Sequence, residues 1–248
     1  MALKWVSGKI LNKHVWTDGL FTLRIDAEGV QPFAPGQFLQ LGLQLGEHHI
    51  HRPYSVASPH GRELEFYVVL VEDGQLTPHL WRMSPGDSID ISQAAAGSFT
   101  LRKVPDAKHL WLVATGTGLA PYIAMLRTPE PWERFERIIV VHGVRHLADL
   151  SYGDELHEFC QQHGDRFCYV PTATRESGDR VLTGRIPALV ASGALESYAS
   201  TEISPELSCV MLCGNPAMLD DMETELANRH MKRHRSRSPG QIVVERYW

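Results

Sequence analysis

The sequence has few cysteines, and their spacing does not suit a metal site or an iron–sulfur cluster. Only four occur among the 248 residues, at positions 160, 168, 209 and 213. No two form a Cys-x-x-Cys pair, so the common zinc spacings are excluded. The close cysteine triplet with a fourth partner that holds a [2Fe–2S] cluster is also missing. We therefore predict free thiols, as in a reducing compartment, and no metal.

Long apolar runs and a strong excess of one charge are also lacking. The longest apolar runs, such as "IIVV" and "LWLVA", are far shorter than the roughly 20 residues of a membrane-spanning helix. The start, "MALKWVSGKI", has no apolar segment of the kind found in signal peptides. A net charge of −5 argues against general nucleic-acid binding. We expect a cytoplasmic monomer that neither inserts into membranes nor binds nucleic acid.

The pattern of predicted strands and helices changes near residue 103, and the length allows two domains of ordinary size. Before this point, short strand-like runs alternate with turn signals, and one short helix is predicted at about 77–83. This pattern predicts a small antiparallel barrel. After it, strand and helix patterns alternate, which predicts a parallel sheet with helices on both faces. We therefore predict a β plus α/β protein with domains 1–103 and 104–248.

Two glycine turns follow predicted strands in the second half. "ATGTGLAP" (114–121) follows "HLWLV", and "CGNP" (213–216) follows "SCVML". Small residues let a backbone approach a phosphate, and the N–H groups at the start of a helix attract anions. Each turn alone could also be an ordinary strand–helix connection, and Cys213 could be only a small buried side chain.

Arginines supply the remaining candidates for anion binding. In "HRPYSVAS" (51–58), Arg52 could pair with a phosphate and Tyr54 could stack on a flat ring. Three further arginines, at 145, 175 and 185, come near predicted strand ends, where they suit a doubly charged phosphate. Taken singly, each could equally be a surface arginine.

The order of these motifs closely resembles the bacterial branch of the ferredoxin/flavodoxin–NADP+ reductases. RPYS, GQLTP, GTGLAP, the three arginines, CGNPAM and a terminal aromatic follow one another over essentially the whole chain. The resemblance implies an antiparallel FAD-binding barrel and a parallel-sheet NADP(H)-binding domain, whose aromatic C-terminal tail returns to the FAD. The tail departs from plant-type members, because Trp248 extends one residue beyond Tyr247.

The resemblance also implies a set of site residues. Arg52 would contact the FAD pyrophosphate and Ser55 would lie near the flavin N5. Tyr247 would cover the flavin face that nicotinamide must reach, and Trp248 would stack on the adenine. The implied FAD contacts are Arg52, Pro53, Tyr54, Ser55, Val68, Val69, Leu70, Gln75, Leu76, Thr77, Thr117, Tyr247 and Trp248. The implied NADP contacts are Thr117, Gly143, Val144, Arg145, Thr174, Arg175, Glu176, Arg185, Cys213 and Gly214. The implied catalytic residues are Ser55, Cys213, Glu245 and Tyr247.

The implied activity passes electrons between NADPH and a one-electron carrier through non-covalently bound FAD. Because the chain has no cluster ligands of its own, the carrier must be a separate ferredoxin or flavodoxin. The basic stretch 228–240 has no acidic residue and is expected to dock this acidic partner. Its docking residues would be Arg229, Lys232, Arg233, Arg235 and Arg237. The alternatives are a reductase for an oxygenase or for free flavin, and a non-catalytic nucleotide-binding redox sensor.

Overall fold

The computed structural model describes residues 3–246, which form two compact units. The first comprises the chain up to Thr100 together with Ala120–Thr128, and the second comprises Leu101–Leu119 and the chain from Pro129 onward. The predicted boundary at residue 103 stays a prediction. No helix of the described residues has the length and apolar character of a membrane span.

A six-stranded antiparallel sheet forms the first unit. Its strands are β1 (Trp5–Thr17), β2 (Leu20–Asp26), β3 (Phe38–Leu45), β4 (His48–Ser55), β5 (Glu63–Val69) and β6 (Ser88–Ser92). They lie in the order β4-β3-β6-β1-β2-β5. A bridge between Val56 and Phe66 links the chain after β4 to β5, at the opposite edge of the sheet. Helix α1 (Thr77–Arg82) follows β5.

Alternating apolar residues explain this sheet. In β2, Phe21, Leu23 and Ile25 are fully buried, as expected where successive side chains point to opposite faces. Their partners on β5 are equally apolar; the facing pairs are Phe21–Val68, Leu23–Phe66 and Ile25–Leu64. Such cross-strand pairs fix the register, because a shift by one residue would expose every one of them.

Helix α2 (Ala120–Leu126) belongs to the first unit by its contacts, although it follows the first strand of the second. All seven of its residues are buried. Arg127, just after the helix, donates hydrogen bonds to the Glu65 carboxylate at 2.9 Å and the Ala57 carbonyl at 3.1 Å. The Tyr122 ring lies 5.9 Å from that of Phe99. These contacts secure the helix within the first unit.

A six-stranded parallel sheet forms the second unit. Its strands are β7 (His109–Thr115), β8 (Arg137–Val144), β9 (Phe167–Ala173), β10 (Leu182–Thr183), β11 (Ser208–Gly214) and β12 (Ile242–Arg246). The helices around it are α3 (Glu130–Arg134), α4 (Gly153–His163), α5 (Ile186–Ala191), α6 (Ala194–Ala199) and α7 (Pro216–Asn228). The predicted combination of an antiparallel and a parallel sheet is confirmed.

Strand order places the ligand-binding edge of the second sheet. The order is β10-β9-β8-β7-β11-β12, so the chain runs outward from β7 and then returns to its other side with β11. The carboxyl ends of β7 and β11 therefore form a topological switch point, where open parallel sheets bind ligands. Both predicted glycine turns begin at this point.

Candidate functional site

The two phosphate motifs of the first unit meet directly. Arg52 on β4 donates from Nη2 to Oε1 of Gln75 at 2.6 Å and from Nη1 to the His51 carbonyl at 2.7 Å. Both Arg52 and Gln75 are exposed. The guanidinium group is therefore held in place and still accessible to an anion, which suits a phosphate contact.

The turn before α1 is closed by Thr77. Its hydroxyl accepts a hydrogen bond from the Val71 amide at 2.9 Å and donates one to the Val71 carbonyl at 3.1 Å. A Cβ at Gly74 would lie 2.9 Å from this carbonyl oxygen, so the turn has no room for a side chain there. Because the hydroxyl is engaged and the Leu76 side chain is buried, phosphate contacts at these residues would come from backbone N–H groups.

Tyr54 presents a neutral ring. It is partly buried and packs against the barrel core. Burial raises the pKa of its phenol to about 12, so the ring carries no charge at physiological pH. Ser55 beside it is buried, as is Val68 on β5, whereas Val69 is 37% exposed. The structure thus brings a stackable ring and an accessible apolar side chain into the same unit as Arg52.

The two glycine turns of the second unit pack directly against each other. A Cβ at Gly118 would lie 2.5 Å from the Cys213 carbonyl oxygen, and one at Gly214 would lie 2.2 Å from Oγ1 of Thr115. Gly214 also has a φ of +134°, which side-chain-bearing residues rarely adopt. The Asn215 amide donates to Oγ1 of Thr115 at 2.9 Å. The switch point is therefore lined by backbone, as close approach to a dinucleotide requires.

A buried histidine, which sequence reasoning missed, supports this turn. His142 on β8 is fully buried, and its Nε2 lies 3.1 Å from the Gly116 carbonyl oxygen. Since a carbonyl only accepts, Nε2 carries a proton. Burial lowers the pKa of His142 to about 4. A single histidine in the run "RIIVVHGV" gave no signal to separate this role from that of an ordinary core residue.

The three arginines follow three neighbouring strands. Arg145, Arg175 and Arg185 come after β8, β9 and β10, and all three are exposed. The Arg175 amide donates a hydrogen bond to the Arg145 carbonyl at 3.1 Å, so the two loops are joined through their backbones at these residues. Exposed guanidinium groups on adjacent loops are suited to a doubly charged phosphate.

Both carboxylate oxygens of Glu176 make hydrogen bonds within the protein. One carboxylate oxygen lies 2.7 Å from Nδ1 of His146, and the other accepts from the Leu147 amide at 2.7 Å. The Leu147 amide and then His146 hold the pKa of Glu176 below its ordinary value. His146 was not among the predicted site residues, because a pair 30 residues apart becomes visible only once β8 and β9 are side by side.

Other predicted residues have recognisable structural surroundings. A Cβ at Gly143 would lie 2.8 Å from Cδ1 of Ile186, so this glycine makes room for α5. Cys213 is fully buried and is paired in register with the half-buried Glu245 on β12. Thr117 is nearly buried within the short helical turn 116–119. The two aromatic predictions, Tyr247 and Trp248, lie outside the described residues.

The basic stretch divides into a buried part and an exposed turn. Arg229 pairs with Glu196 at 2.8 Å and donates to the Val190 carbonyl at 2.7 Å, which ties it to its own unit. Arg235 and Ser238 exchange two backbone hydrogen bonds of 3.0 and 2.9 Å. They close a tight turn that leaves the side chains of Arg235 and Arg237 exposed, together with those of Lys232 and Arg233.

The residues present fit FAD in the first unit and NADP in the second. The first unit offers an anchored cation, a closed turn before a helix and a flat neutral ring. The second offers two closely packed turns with no room for a Cβ at Gly118 or Gly214, beside exposed arginines on neighbouring loops. These are the features that dinucleotides require: close backbone approach, cationic phosphate contacts and aromatic surface.

Comparisons with known proteins agree with this arrangement. Residues 13–100 match the family described as an oxidoreductase FAD-binding domain, and residues 112–224 match the oxidoreductase NAD-binding domain. The flavodoxin/ferredoxin–NADP reductase of Escherichia coli (strain K12) is 42% identical over 246 residues, covering 98% of this chain and 99% of that protein. The ferredoxin–NADP reductase of Azotobacter vinelandii is 34% identical over 248 residues, covering 96% of this chain and 95% of that one.

A solved structure extends the similarity to the fold. The crystal structure of a ferredoxin NADP+ reductase from Neisseria gonorrhoeae, with bound FAD and NADP, matches with a TM-score of 0.93 at 33% identity. The match covers 99% of each chain.

Proposed function

Because the chain belongs to the family of flavodoxin/ferredoxin–NADP reductases, we propose that it transfers electrons between NADPH and a ferredoxin or flavodoxin. When bound, FAD would supply the redox chemistry that couples a two-electron hydride donor to a one-electron carrier. The protein binds both nucleotides, orients their reacting rings and selects its partners. We place this activity in the cytoplasm and expect a monomer.

Within the first unit, Arg52 and the turn before α1 would hold the FAD pyrophosphate. The hydrogen bond from Arg52 to Gln75 supports this assignment, because it fixes the guanidinium group before any ligand arrives. Tyr54 would stack on the flavin, for which a neutral partly buried ring is suited. Ser55 would contact the flavin near N5.

Within the second unit, the packed turns at β7 and β11 would receive the nicotinamide half of NADPH. This is the observation that carries the proposal, since Gly118 and Gly214 let two turns meet at the carboxyl ends of neighbouring strands, at the switch point where open parallel sheets bind ligands. Thr117 and Cys213 would lie nearest the nicotinamide, and Glu245 would assist from β12. Arg145, Arg175 and Arg185 would contact the 2′-phosphate that distinguishes NADPH from NADH.

The exposed basic turn would dock the carrier. Lys232, Arg233, Arg235 and Arg237 present positive charge around the tight turn, and an acidic partner would be attracted to them over a distance of about one Debye length. Arg229 and Arg233 would contribute less to this surface, because Arg229 pairs with Glu196 at 2.8 Å and Arg233 pairs with Glu223 at 3.5 Å.

A reduction assay tests the proposal. The FAD-loaded protein should reduce an added ferredoxin or flavodoxin with NADPH and much more slowly with NADH. Arg175→Ala should lower the NADPH/NADH ratio of kcat/KM about tenfold or more, which corresponds to losing one hydrogen bond to a charged group of roughly 1.5–3 kcal/mol. Reduction of free flavin or a dye without reduction of any carrier would instead favour a flavin or oxygenase-type reductase. Failure of NADPH to reduce the bound flavin would favour a non-catalytic sensor.

A further inference from the structure

A carboxylate is an unexpected neighbour for a phosphate site. Glu176 directly follows Arg175. Its loop adjoins that of Arg145, because the Arg175 amide is hydrogen-bonded to the Arg145 carbonyl. A negative charge here would oppose a 2′-phosphate by simple Coulomb repulsion. Its presence therefore needs a compensating role, and its contacts indicate what that role is.

The contacts of Glu176 cross from one loop to the other. Its two carboxylate oxygens engage His146 and the Leu147 amide, both at 2.7 Å, and these residues immediately follow Arg145. Because a carboxylate only accepts, Nδ1 of His146 donates to it. Glu176 remains partly exposed, but both of its oxygens are engaged by donors that offset part of its charge.

Further contacts join the same two loops. The Thr174 amide donates to the Val144 carbonyl at 3.1 Å, which extends the β8–β9 pairing beyond the strands. The side chain of Leu147 covers Gly178, where an added Cβ would lie 3.1 Å from it. Asp149 accepts a hydrogen bond from the His146 amide at 3.2 Å, so the loop after β8 is also braced from within.

We propose that Glu176 and His146 form a positioning pair that sets the preference for NADPH by holding the Arg145 and Arg175 loops side by side. Glu176 acts through the arginines and does not itself bind the nucleotide. The inference rests on the proposed role of these arginines at the 2′-phosphate. It adds a specificity determinant, a carboxylate paired with a histidine, that acts through the placement of the two arginines.

The two possible effects of Glu176 differ in sign. If it only repels the phosphate, its removal should strengthen binding of a 2′-phosphorylated nucleotide. If it positions the arginines, its removal should weaken that binding even though a negative charge is lost. Since the pair is partly exposed, with side-chain accessibilities of 44% and 42%, we expect a change of about two- to fivefold, the range of exposed charge pairs.

The experiment measures binding of 2′,5′-ADP and 5′-ADP to the FAD-loaded protein by titration calorimetry. Glu176→Ala should weaken 2′,5′-ADP binding about two- to fivefold and leave 5′-ADP unchanged. Glu176→Gln, which keeps an oxygen for the Leu147 amide, should recover part of the affinity. Asp179→Asn is the matched control, because it removes the same charge three residues further along the loop and should not weaken binding.

Double variants and kinetics separate the possible failures. In an Arg175→Ala background, Glu176→Ala should have a much smaller effect, since residues acting through one another are not additive. In turnover, KM for NADPH should rise while kcat stays within about twofold. Tighter binding of 2′,5′-ADP by Glu176→Ala, or equal weakening of both nucleotides, would refute the positioning pair. An Arg175→Ala variant with unchanged discrimination would instead refute the 2′-phosphate role itself.

Discussion

The neutral buried state of His142 makes the stability of the protein depend on pH in a calculable way. The pKa of this histidine falls from 6.5 to about 4 in the fold, chiefly because burial disfavours the charged ring. Below pH 6.5 the unfolded chain therefore takes up a proton at this residue while the native state does not. Acidification must destabilise the native state, and the loss ends only when the pH falls below about 4.

The magnitude follows from the two pKa values. Each unit of pKa difference corresponds to about 1.4 kcal/mol. At pH 7.5 the term is close to zero, and at pH 5.0 it amounts to about 2 kcal/mol of lost stability. The other histidines also titrate in this range, so the effect of His142 must be read as a difference between two proteins.

Urea unfolding of the parent chain and of His142→Gln at pH 7.5 and 5.0 provides that difference. A glutamine can still donate to the Gly116 carbonyl, but it does not titrate. The variant should lose about 2 kcal/mol less than the parent between the two pH values. Identical pH dependence in the two proteins would refute the claim that His142 is buried in its neutral form.

Two further predictions concern the turns. Gly118→Ala should destabilise the second unit by about 1–3 kcal/mol, because the added Cβ meets backbone atoms that cannot move away. Gly116→Ala should cost about 1 kcal/mol, because its Cβ has open space but its φ of +52° is unfavourable for alanine. Thermal unfolding of both variants checks this order, and equal losses of stability would contradict it. Arg235→Glu combined with Arg237→Glu should slow carrier reduction, most strongly at low ionic strength, and leave reduction of a small neutral dye unchanged. Stopped-flow kinetics over a salt series makes the measurement, and carrier kinetics equal to those of the parent chain would exclude the basic turn as a docking surface.

Sequence patterns predicted the strands and helices whose burial produces a regular pattern of apolar residues. The strand-like runs predicted before residue 103 became β1, β2, β3, β5 and β6, and the strand patterns predicted after it became β7, β8, β9 and β11. Strand β4 was not among the predicted strand-like runs, because it is polar and mostly half-buried and therefore lacks an apolar period. The run "PAMLDDMETELANRH" (216–230) predicts a helix that continues to His230, whereas α7 ends at Asn228 and His230 has a left-handed φ of 63°.

The motifs of the candidate site could be predicted from the sequence, but the hydrogen bonds that hold those motifs in place could not. RPYS, the two glycine turns and the arginines are local patterns with direct chemical meaning. The bond between Arg52 and Gln75 joins residues 23 apart in the sequence, and that between His142 and Gly116 joins residues 26 apart. Such contacts depend on strand register, which no local pattern encodes. Glu176 was implied as an NADP contact by the family resemblance, and only the fold showed that its oxygens are engaged.

The allocation of α2 has a consequence for how the chain can be divided. Because the contacts of Ala120–Thr128 assign this segment to the first unit, the polypeptide passes between the two units three times. A fragment that ends at residue 103 would lose the helix that covers Phe99 and the arginine that holds Glu65. Exchange of this unit with that of a relative would need three junctions, because a single cut at residue 103 leaves the first unit without α2 and leaves that helix attached to the second.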